Sequence, residues 1–323
     1  MNSTRVALVN GTVADGSWIY PVAKELGVEL VEGPAGTPEE VAKLTQGCSA
    51  IMISLHRMTP AIIDAFAPTV KIIGRAGVGL DTIDVEYAKS RDIAVVNQPL
   101  YAIHEVSNHA VAMMLALHRG LFAANTWTRE KGWGGATDMT KVHSIQDCTI
   151  GVIGCGRIGQ SAISKLIPFA KKVVGFDPAA AVNLHGIEMV DTLDELLEQC
   201  EMITLHAPYL PSTHHMIGAA QIAKMPKGSI IVNVSRGGLI DEVALAEGLG
   251  SGQISGAGLD VFQTEPLPDD SPLRNAPNLI LSPHMAWYSE SSGPRLIEWT
   301  IRDVFTYVNG NSINHGNFAA GPF

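Results

Sequence analysis

The sequence has few cysteines. Cys48, Cys148, Cys155 and Cys200 are the four in a chain of 323 residues. They are too scattered for a disulfide framework, and no two have the spacing of a zinc-binding pair. We therefore expect reduced thiols, no metal site and a cytoplasmic location.

Basic residues and long apolar runs are also scarce. Lys and Arg total 22 against 32 Asp and Glu, so the net charge is −10. An acidic chain is poorly suited to gripping phosphate backbones, and we expect no nucleic-acid partner. The longest strongly apolar run, 110–117, is far below the roughly 20 residues that span a bilayer, and the N-terminus lacks the core of a signal peptide. We therefore expect no membrane partner.

The pattern that is present indicates an α/β protein. Apolar residues make up 46% of the chain, and the length predicts about two domains. Short β-branched runs alternate with longer amphipathic stretches, which is typical of βαβ units and parallel sheets. The predicted strands are 6–9, 28–31, 50–54, 71–74, 94–97, 150–153, 172–176, 202–205, 229–233, 256–260 and 278–281.

Helices are predicted between these strands. Residues 38–44 begin with Pro38 and two acids, and Thr59 with Pro60 is a typical helix start. Residues 104–121 are apolar on nearly every face, which favours a helix that is buried or shared with a second subunit. Residues 127–143 show no clear periodicity, and we interpret them as an extended connection.

A glycine-rich turn follows the strand at 150–153. Gly154, Gly156 and Gly159 form G-x-G-x-x-G between that strand and a helical pattern, and Asp177 ends the next strand. In dinucleotide-binding turns the glycines allow a tight bend, close approach of a pyrophosphate and helix packing, while the acid binds the ribose. No Arg or Lys follows Asp177 to meet a 2′-phosphate, so the sequence favours NAD over NADP.

Chemistry-bearing residues follow three later strands. Arg236 is suited to hold a carboxylate, although it could instead pair with Asp241 on the surface. His284 could donate a proton, and Glu265 could orient its imidazole. Because ligands bind beyond the carboxyl ends of parallel strands, we expect the three in one site.

The chain resembles the NAD-dependent D-isomer-specific 2-hydroxyacid dehydrogenases over nearly its whole length. The resemblance lies in the segments 73–84, 154–159 with Asp177, 205–208 with Thr213, 233–238, 259–266 and 282–284. It implies two Rossmann-like or flavodoxin-like domains and an enzyme that interconverts a 2-oxo acid and a D-2-hydroxy acid.

The resemblance also implies the role of each site residue. Arg236, Glu265 and His284 are the catalytic group, with Glu265 orienting the acid/base His284. The implied substrate contacts are Arg75, Gly77, Val78, Gly79 and Trp287. The implied cofactor contacts are Val78, Gly154, Gly156, Arg157, Ile158, Gly159, Asp177, His206, Pro208, Thr213, Val234, Ser235 and Asp260. Asp260 matches the family residue that binds the nicotinamide carboxamide.

The family's domain organisation carries over as well. It implies a discontinuous substrate domain, 1–98 with 287–323, and an NAD-binding domain, 99–286. It also implies a homodimer formed in part by the helix at 105–119.

A narrower resemblance lies in His284-Met-Ala-Trp-Tyr-Ser-Glu290, which is similar to the C-terminal-binding-protein branch. In that branch a Trp at the position of Trp287 lines the substrate pocket, and some members are NAD(H)-sensing corepressors. An NAD(H)-dependent scaffold is therefore the alternative to an enzyme. Formate dehydrogenases share the architecture but pair the histidine with Gln, where this chain has Glu265.

Overall fold

The computed structural model describes residues 4–12, 16–135, 143–179 and 187–321. Its strands are β1 (Thr4–Val9), β2 (Val28–Gly33), β3 (Ala50–Ile53), β4 (Ile72–Arg75), β5 (Ala94–Asn97), β6 (Thr149–Ile153), β7 (Lys172–Phe176), β8 (Glu188–Met189), β9 (Met202–Leu205), β10 (Ser229–Asn233), β11 (Ile254–Leu259), β12 (Leu279–Leu281) and β13 (Asn317–Ala320). Its helices are α1 (Ile19–Leu26), α2 (Pro38–Leu44), α3 (Pro60–Asp64), α4 (Val85–Ser90), α5 (Ile103–His118), α6 (Leu121–Lys131), α7 (Arg157–Leu166), α8 (Leu193–Gln199), α9 (Ala219–Lys224), α10 (Glu242–Ser251) and α11 (Ser292–Val308).

The chain divides into two compact units. The first consists of Met1–Ala102 and Tyr288–Phe323, and the second of Ile103–Trp287. The predicted α/β class with two parallel sheets is confirmed. No helix in the described ranges is long and apolar enough to cross a membrane.

The first unit contains a six-stranded sheet in the order β13-β5-β4-β3-β1-β2. Strands β1 to β5 pair in parallel, whereas β13 pairs with β5 antiparallel. The two predicted helix starts are confirmed. The Thr37 side chain caps α2 by accepting from the amide of Glu40, and the Thr59 side chain caps α3 by accepting from the amide of Ile62. Both caps satisfy an amide that the helix leaves without an internal partner.

The second unit contains a seven-stranded parallel sheet in the order β12-β11-β10-β9-β6-β7-β8. The strand order reverses between β6 and β9, which is the switch point where doubly wound folds bind ligands. The side chains of β6 alternate between the two faces of the sheet, and both faces are buried. Ile150 and Val152 pack with α5 and α7, while Ile153 packs with the cluster that includes α8, α9 and α10.

The prediction of an extended connection at 127–143 is wrong for its first residues. Residues 121–131 form α6, which ends at Gly132 with a φ of +80°. None of its described residues is buried. Because a helix without a buried face carries no 3.6-residue apolar pattern, sequence periodicity does not reveal it. Residues 136–142 lie outside the described part of the chain.

Candidate active site

The glycine turn after β6 is shaped by two close backbone approaches. Gly154 has a φ of +88°, and a Cβ on it would lie 2.5 Å from the amide nitrogen of Ala207. A Cβ on Gly159 would lie 2.0 Å from the carbonyl oxygen of Gly154. Neither position admits a side chain. The turn therefore packs directly on the segment that follows β9, at the switch point of the sheet.

Gly156 differs from its two neighbours because open space surrounds it. A Cβ there would meet no atom within 4 Å, and its φ of −69° is normal for any residue. The protein itself therefore does not demand a glycine at this position. The open space that a Cβ of residue 156 would fill lies at the start of α7, and we call it the cradle. A space at a helix N-terminus suits the pyrophosphate of a dinucleotide. Arg157 and Ile158 form the first turn of that helix.

Asp177 braces this cradle from the end of β7. Its Oδ2 accepts a hydrogen bond from the amide of Cys155 at 2.8 Å, and its Oδ1 accepts one from Ala179 at 2.9 Å. Burial, and to a lesser degree the charge of Asp177, raises the pKa of the Cys155 thiol to about 11. Cys155 therefore stays protonated and acts as a small core residue.

The segment after β9 carries three of the predicted cofactor residues. Burial, followed by the charge of Lys165, lowers the pKa of His206 to about 4, so this imidazole is neutral at physiological pH. Its Nε2 lies 3.1 Å from the hydroxyl of Thr204, and its buried Nδ1 has no partner among the described residues. The hydroxyl of Thr213 donates to the carbonyl of Pro208 at 2.8 Å and thereby closes the loop between them.

The structure brings Glu265 and His284 together. The Oε2 of Glu265 and the Nδ1 of His284 are 2.7 Å apart, and the amide of Phe262 donates to Oε1 at 3.0 Å. Burial alone would raise the pKa of Glu265. The bond and charge of His284, the Phe262 amide and the charge of Arg236 together lower it below its usual value. Glu265 is thus an ionised partner for the imidazole.

Arg236 leaves the end of β10 in a turn that a buried asparagine holds. The amide group of Asn233 donates to the carbonyl of Arg236 at 2.8 Å, and its oxygen accepts from the Ser235 amide at 3.0 Å. The Ser235 hydroxyl donates to the carbonyl of Leu205 on the adjacent strand at 2.8 Å, while Val234 is buried in the core. Asp241, the alternative partner considered for Arg236, caps α10 through Val243 and Ala244.

The turns that carry Arg236 and Glu265 pack on each other. A Cβ on Gly237 would lie 1.9 Å from the carbonyl carbon of Phe262, so the two backbones touch. Gln263 adds hydrogen bonds across this contact. Its amide donates to Oε1 of Glu242 at 2.7 Å, and its Nε2 donates to the Ile240 carbonyl at 2.9 Å. The turn of Arg236 and the turn of Glu265 are therefore held together by backbone packing and by the hydrogen bonds of Gln263.

Asp260 is completely buried directly after β11. Its Oδ1 accepts from the Ser282 hydroxyl at 2.5 Å and the Met285 amide at 2.9 Å, and its Oδ2 accepts from the Ala286 amide at 2.8 Å. In this structure the carboxyl group thus anchors the loop around His284. Contact with a nicotinamide carboxamide stays a prediction.

Trp287 ends the second unit and supports the same loop. Its indole Nε1 donates to the carbonyl of His284 at 3.1 Å, and the side chain is half-buried. The ring is therefore fixed relative to the backbone of His284.

In the first unit, the backbone carbonyls of the loop after β4 accept hydrogen bonds from neighbouring residues. The Nε of Arg75 donates to Gly79, and its Nη1 donates to Ala76. The Asn97 amide group donates to Val78, and the Gln98 amide donates to Gly77 at 2.9 Å. Gly77 has a φ of +145°, where a Cβ would meet the Arg75 guanidinium at 2.3 Å. The carbonyls of 76–79 are thus bonded within the first unit, and Arg75 is buried and holds the loop.

Sequence reasoning assigned no role to Asn233 or Gln263. Asn233 lies inside a segment that carried the family resemblance, and a polar residue ending an apolar strand was the available signal. Gln263 likewise lies in such a segment, 259–266, but its partners at 240 and 242 are distant along the chain, so the sequence did not indicate its contacts.

Comparison with known proteins identifies the class. Residues 111–286 match the model for the D-isomer specific 2-hydroxyacid dehydrogenase, NAD binding domain. The chain belongs to this family and carries its NAD-binding domain. This confirms the family and the cofactor that the sequence indicated.

Individual relatives agree. A glycerate dehydrogenase of Methylorubrum extorquens is 36% identical over 284 residues, 86% of this chain and 88% of that protein. A D-3-phosphoglycerate dehydrogenase of Methanocaldococcus jannaschii is 39% identical over 278 residues, 84% of this chain but 52% of that protein. The chain thus spans about half the length of the D-3-phosphoglycerate dehydrogenases it matches. The structure of an Aquifex aeolicus D-lactate dehydrogenase, complexed with NAD and lactic acid, has a TM-score of 0.86, 28% identity and coverage of 99% and 100%.

Proposed function

We propose that the protein interconverts a 2-oxo acid and a D-2-hydroxy acid with NAD(H). The hydrogen bond between Glu265 and His284 carries the proposal, because it pairs an imidazole with an ionised carboxylate beside Arg236. Such a pair is suited to general acid and base catalysis. The dinucleotide cradle in the same unit supports this assignment.

Each side chain has a distinct task in the proposed reaction. Arg236 binds the substrate carboxylate, since a guanidinium forms paired hydrogen bonds to both oxygens. His284 donates a proton from Nε2 to the carbonyl oxygen, and Glu265 holds Nδ1 in its protonated form. The chemistry that NADH would supply, when bound, is the hydride that reduces the substrate. The cradle at 154–159, Asp177 and the segment 206–213 are the residues that would hold the cofactor.

The loop of 77–79 offers further donors for a carboxylate. Its carbonyls are bonded within the first unit, and successive backbone amides of such a loop are a suitable donor group for an anion. We assign this loop to the substrate carboxylate, with Arg75 as the residue that shapes it.

A steady-state screen tests the activity. NADH oxidation is measured with glyoxylate, hydroxypyruvate, pyruvate, phenylpyruvate and 4-methylthio-2-oxobutanoate, and NAD reduction with D-3-phosphoglycerate. At least one should turn over, and His284→Ala should lower its rate by roughly 10²- to 10⁴-fold while NADH still binds. Wild-type rates in His284→Ala would remove the proposed proton donor.

A second candidate function rests on the segment 284–290, which is similar to the C-terminal-binding-protein branch. In that case the site senses NAD(H) and the protein acts as a scaffold. Tight NADH binding without turnover of any tested 2-oxo acid would favour this function. Turnover that depends on Arg236, Glu265 and His284 would favour the enzyme.

We also propose a homodimer formed through α5 and α6. Two adjacent apolar side chains of α6, Leu121 and Phe122, are 55% and 60% exposed, and Trp133 beyond the helix is 91% exposed. Large apolar and aromatic side chains exposed in one segment are typical of a protein interface. Light scattering after size exclusion should give twice the monomer mass. Changing Leu121 and Phe122 together to Ser should give the monomer, and a monomeric wild-type protein would contradict the proposal.

A further inference from the structure

His109 connects α5 to the loop that carries His284. Its Nε2 lies 2.9 Å from the Ser282 hydroxyl, which lies 2.5 Å from Oδ1 of Asp260. The Ser282 hydroxyl donates its one hydrogen to Asp260, so it accepts from His109 in the tautomer that carries its N–H at Nε2. The three side chains therefore form a directed chain of hydrogen bonds that begins on the helix.

This chain ends at the anchor of the His284 loop. Asp260 binds the amides of Met285 and Ala286 through its carboxyl group, and its backbone carbonyl accepts from the His284 amide at 2.8 Å. His284 itself has a φ of +53°, a conformation that residues with a Cβ rarely adopt. Such a backbone persists only where its surroundings hold it. The bonds to Asp260 on both sides of His284 supply that support.

We propose that His109 is a positioning residue for the reaction. Through Ser282 and Asp260 it fixes the 282–286 loop, and so holds the His284 imidazole against Glu265. Met113 and Met114 of the same helix are buried in the core, which gives His109 a rigid base. The inference rests on the proposed function, in which His284 transfers the proton. His109 acts through His284 and contacts no substrate.

Variants at two positions of α5 separate this role from general packing. His109→Leu removes the donor, whereas His109→Gln keeps an amide donor close to the place of Nε2. His118→Leu is the matched control, since His118 is half-buried on the same helix and its Nε2 has no partner among the described residues. Ser282→Ala breaks the same series of hydrogen bonds at the loop. It replaces His109→Leu in the test if that variant folds poorly.

The kinetic test measures kcat for reduction of the best 2-oxo acid. His109→Leu should lower kcat by about 2- to 10-fold, the effect of one hydrogen bond, and His109→Gln should restore most of it. His118→Leu should leave kcat unchanged. In the His284→Ala background His109→Leu should cause no further loss, because it acts through the missing imidazole. Additive losses there, or equal losses from the two leucine variants, overturn the proposal.

A second measurement needs no turnover. In spectra of protein labelled with ¹⁵N-histidine, the Nδ1–H signal of His284, identified by its absence in His284→Gln, reports the bond to Glu265. His109→Leu should shift or broaden that signal, and His118→Leu should leave it in place. An unchanged signal in His109→Leu overturns the positioning role. Absence of turnover in the wild-type protein would count against the proposed function alone.

Discussion

Glu265 Oε2 accepts a hydrogen bond from His284 Nδ1 across 2.7 Å, between residues that follow two adjacent strands, β11 and β12. The parallel pairing of β11 and β12 places both strand ends at one edge of the sheet. The interaction joins a carboxylate whose pKa is held low to the imidazole that we propose as the proton donor. The pH behaviour of the reaction should follow from it.

Glu265→Gln should move the pH dependence of catalysis. The pKa of Glu265 is lowered, so the carboxylate is ionised at neutral pH and favours the imidazolium that reduction requires. Gln still accepts a hydrogen bond but carries no charge, so it no longer stabilises a positively charged imidazole. The alkaline limb of kcat/KM for reduction should shift down by about one pH unit. Glu298→Gln, on α11, is the control, and an unmoved limb in Glu265→Gln would exclude this role.

Gly156→Ala should weaken NADH binding without loss of stability. The position has an ordinary φ and is surrounded by open space, so the added methyl group should not affect folding. It should clash only with a bound pyrophosphate. Fluorescence titration should show a raised Kd for NADH and thermal unfolding an unchanged Tm. Gly250→Ala also adds a methyl in open space and should leave the Kd unaltered. Unchanged NADH affinity in Gly156→Ala would place the cofactor elsewhere.

The wild-type protein should prefer NADH to NADPH. Asp177 lies at the end of β7 beside the glycine turn, where an acid accepts from ribose hydroxyls and repels a 2′-phosphate. The kcat/KM ratio of the two cofactors with one 2-oxo acid measures this. Asp177→Ser should narrow the ratio by removing the charge. Equal values for both cofactors in the wild-type protein would refute the assignment.

Gln263→Met should reduce turnover more than stability. The change keeps side-chain size but removes the bond from Nε2 to the Ile240 carbonyl, which helps fix the turn of Glu265 against that of Arg236. We expect kcat to fall by about 2- to 10-fold. Gln253 also donates from Nε2 to two carbonyls, those of Ile222 and Met225. Gln253→Met should therefore lower Tm alone, and a similar kcat loss in both variants would contradict the prediction.

Trp287 should influence which 2-oxo acid is used. If the indole forms a wall of the substrate pocket, Trp287→Ala should lower kcat/KM more for phenylpyruvate or 4-methylthio-2-oxobutanoate than for glyoxylate, which has no side chain. Fitted apolar contact is worth roughly 1–3 kcal/mol in kcat/KM. Trp287→Phe keeps an aromatic face but loses the bond to the His284 carbonyl, so it separates the two contributions. Equal losses on all three substrates would assign Trp287 to packing.

The sequence alone predicted the alternation of strands and helices and the glycine turn. These features depend on short-range chemistry: a period of two residues along a strand, a cap before a helix, and glycines at fixed spacing. The full set of proposed site residues came from the resemblance to the family. The predicted strands 94–97, 172–176, 202–205 and 229–233 match β5, β7, β9 and β10 in full. The helix at 121–131 was not predicted, because none of its described residues is buried and no periodic pattern results.

Tertiary structure decided the contacts between segments that are distant along the chain. The antiparallel pairing of β13 with β5, the anchoring of the His284 loop by Asp260 and its link to His109 all join such segments. A buried carboxyl group must find donors wherever the fold supplies them, and residue type alone does not name those donors. The sequence therefore determined which groups are available for chemistry, while packing of the sheet edges determined which of them meet.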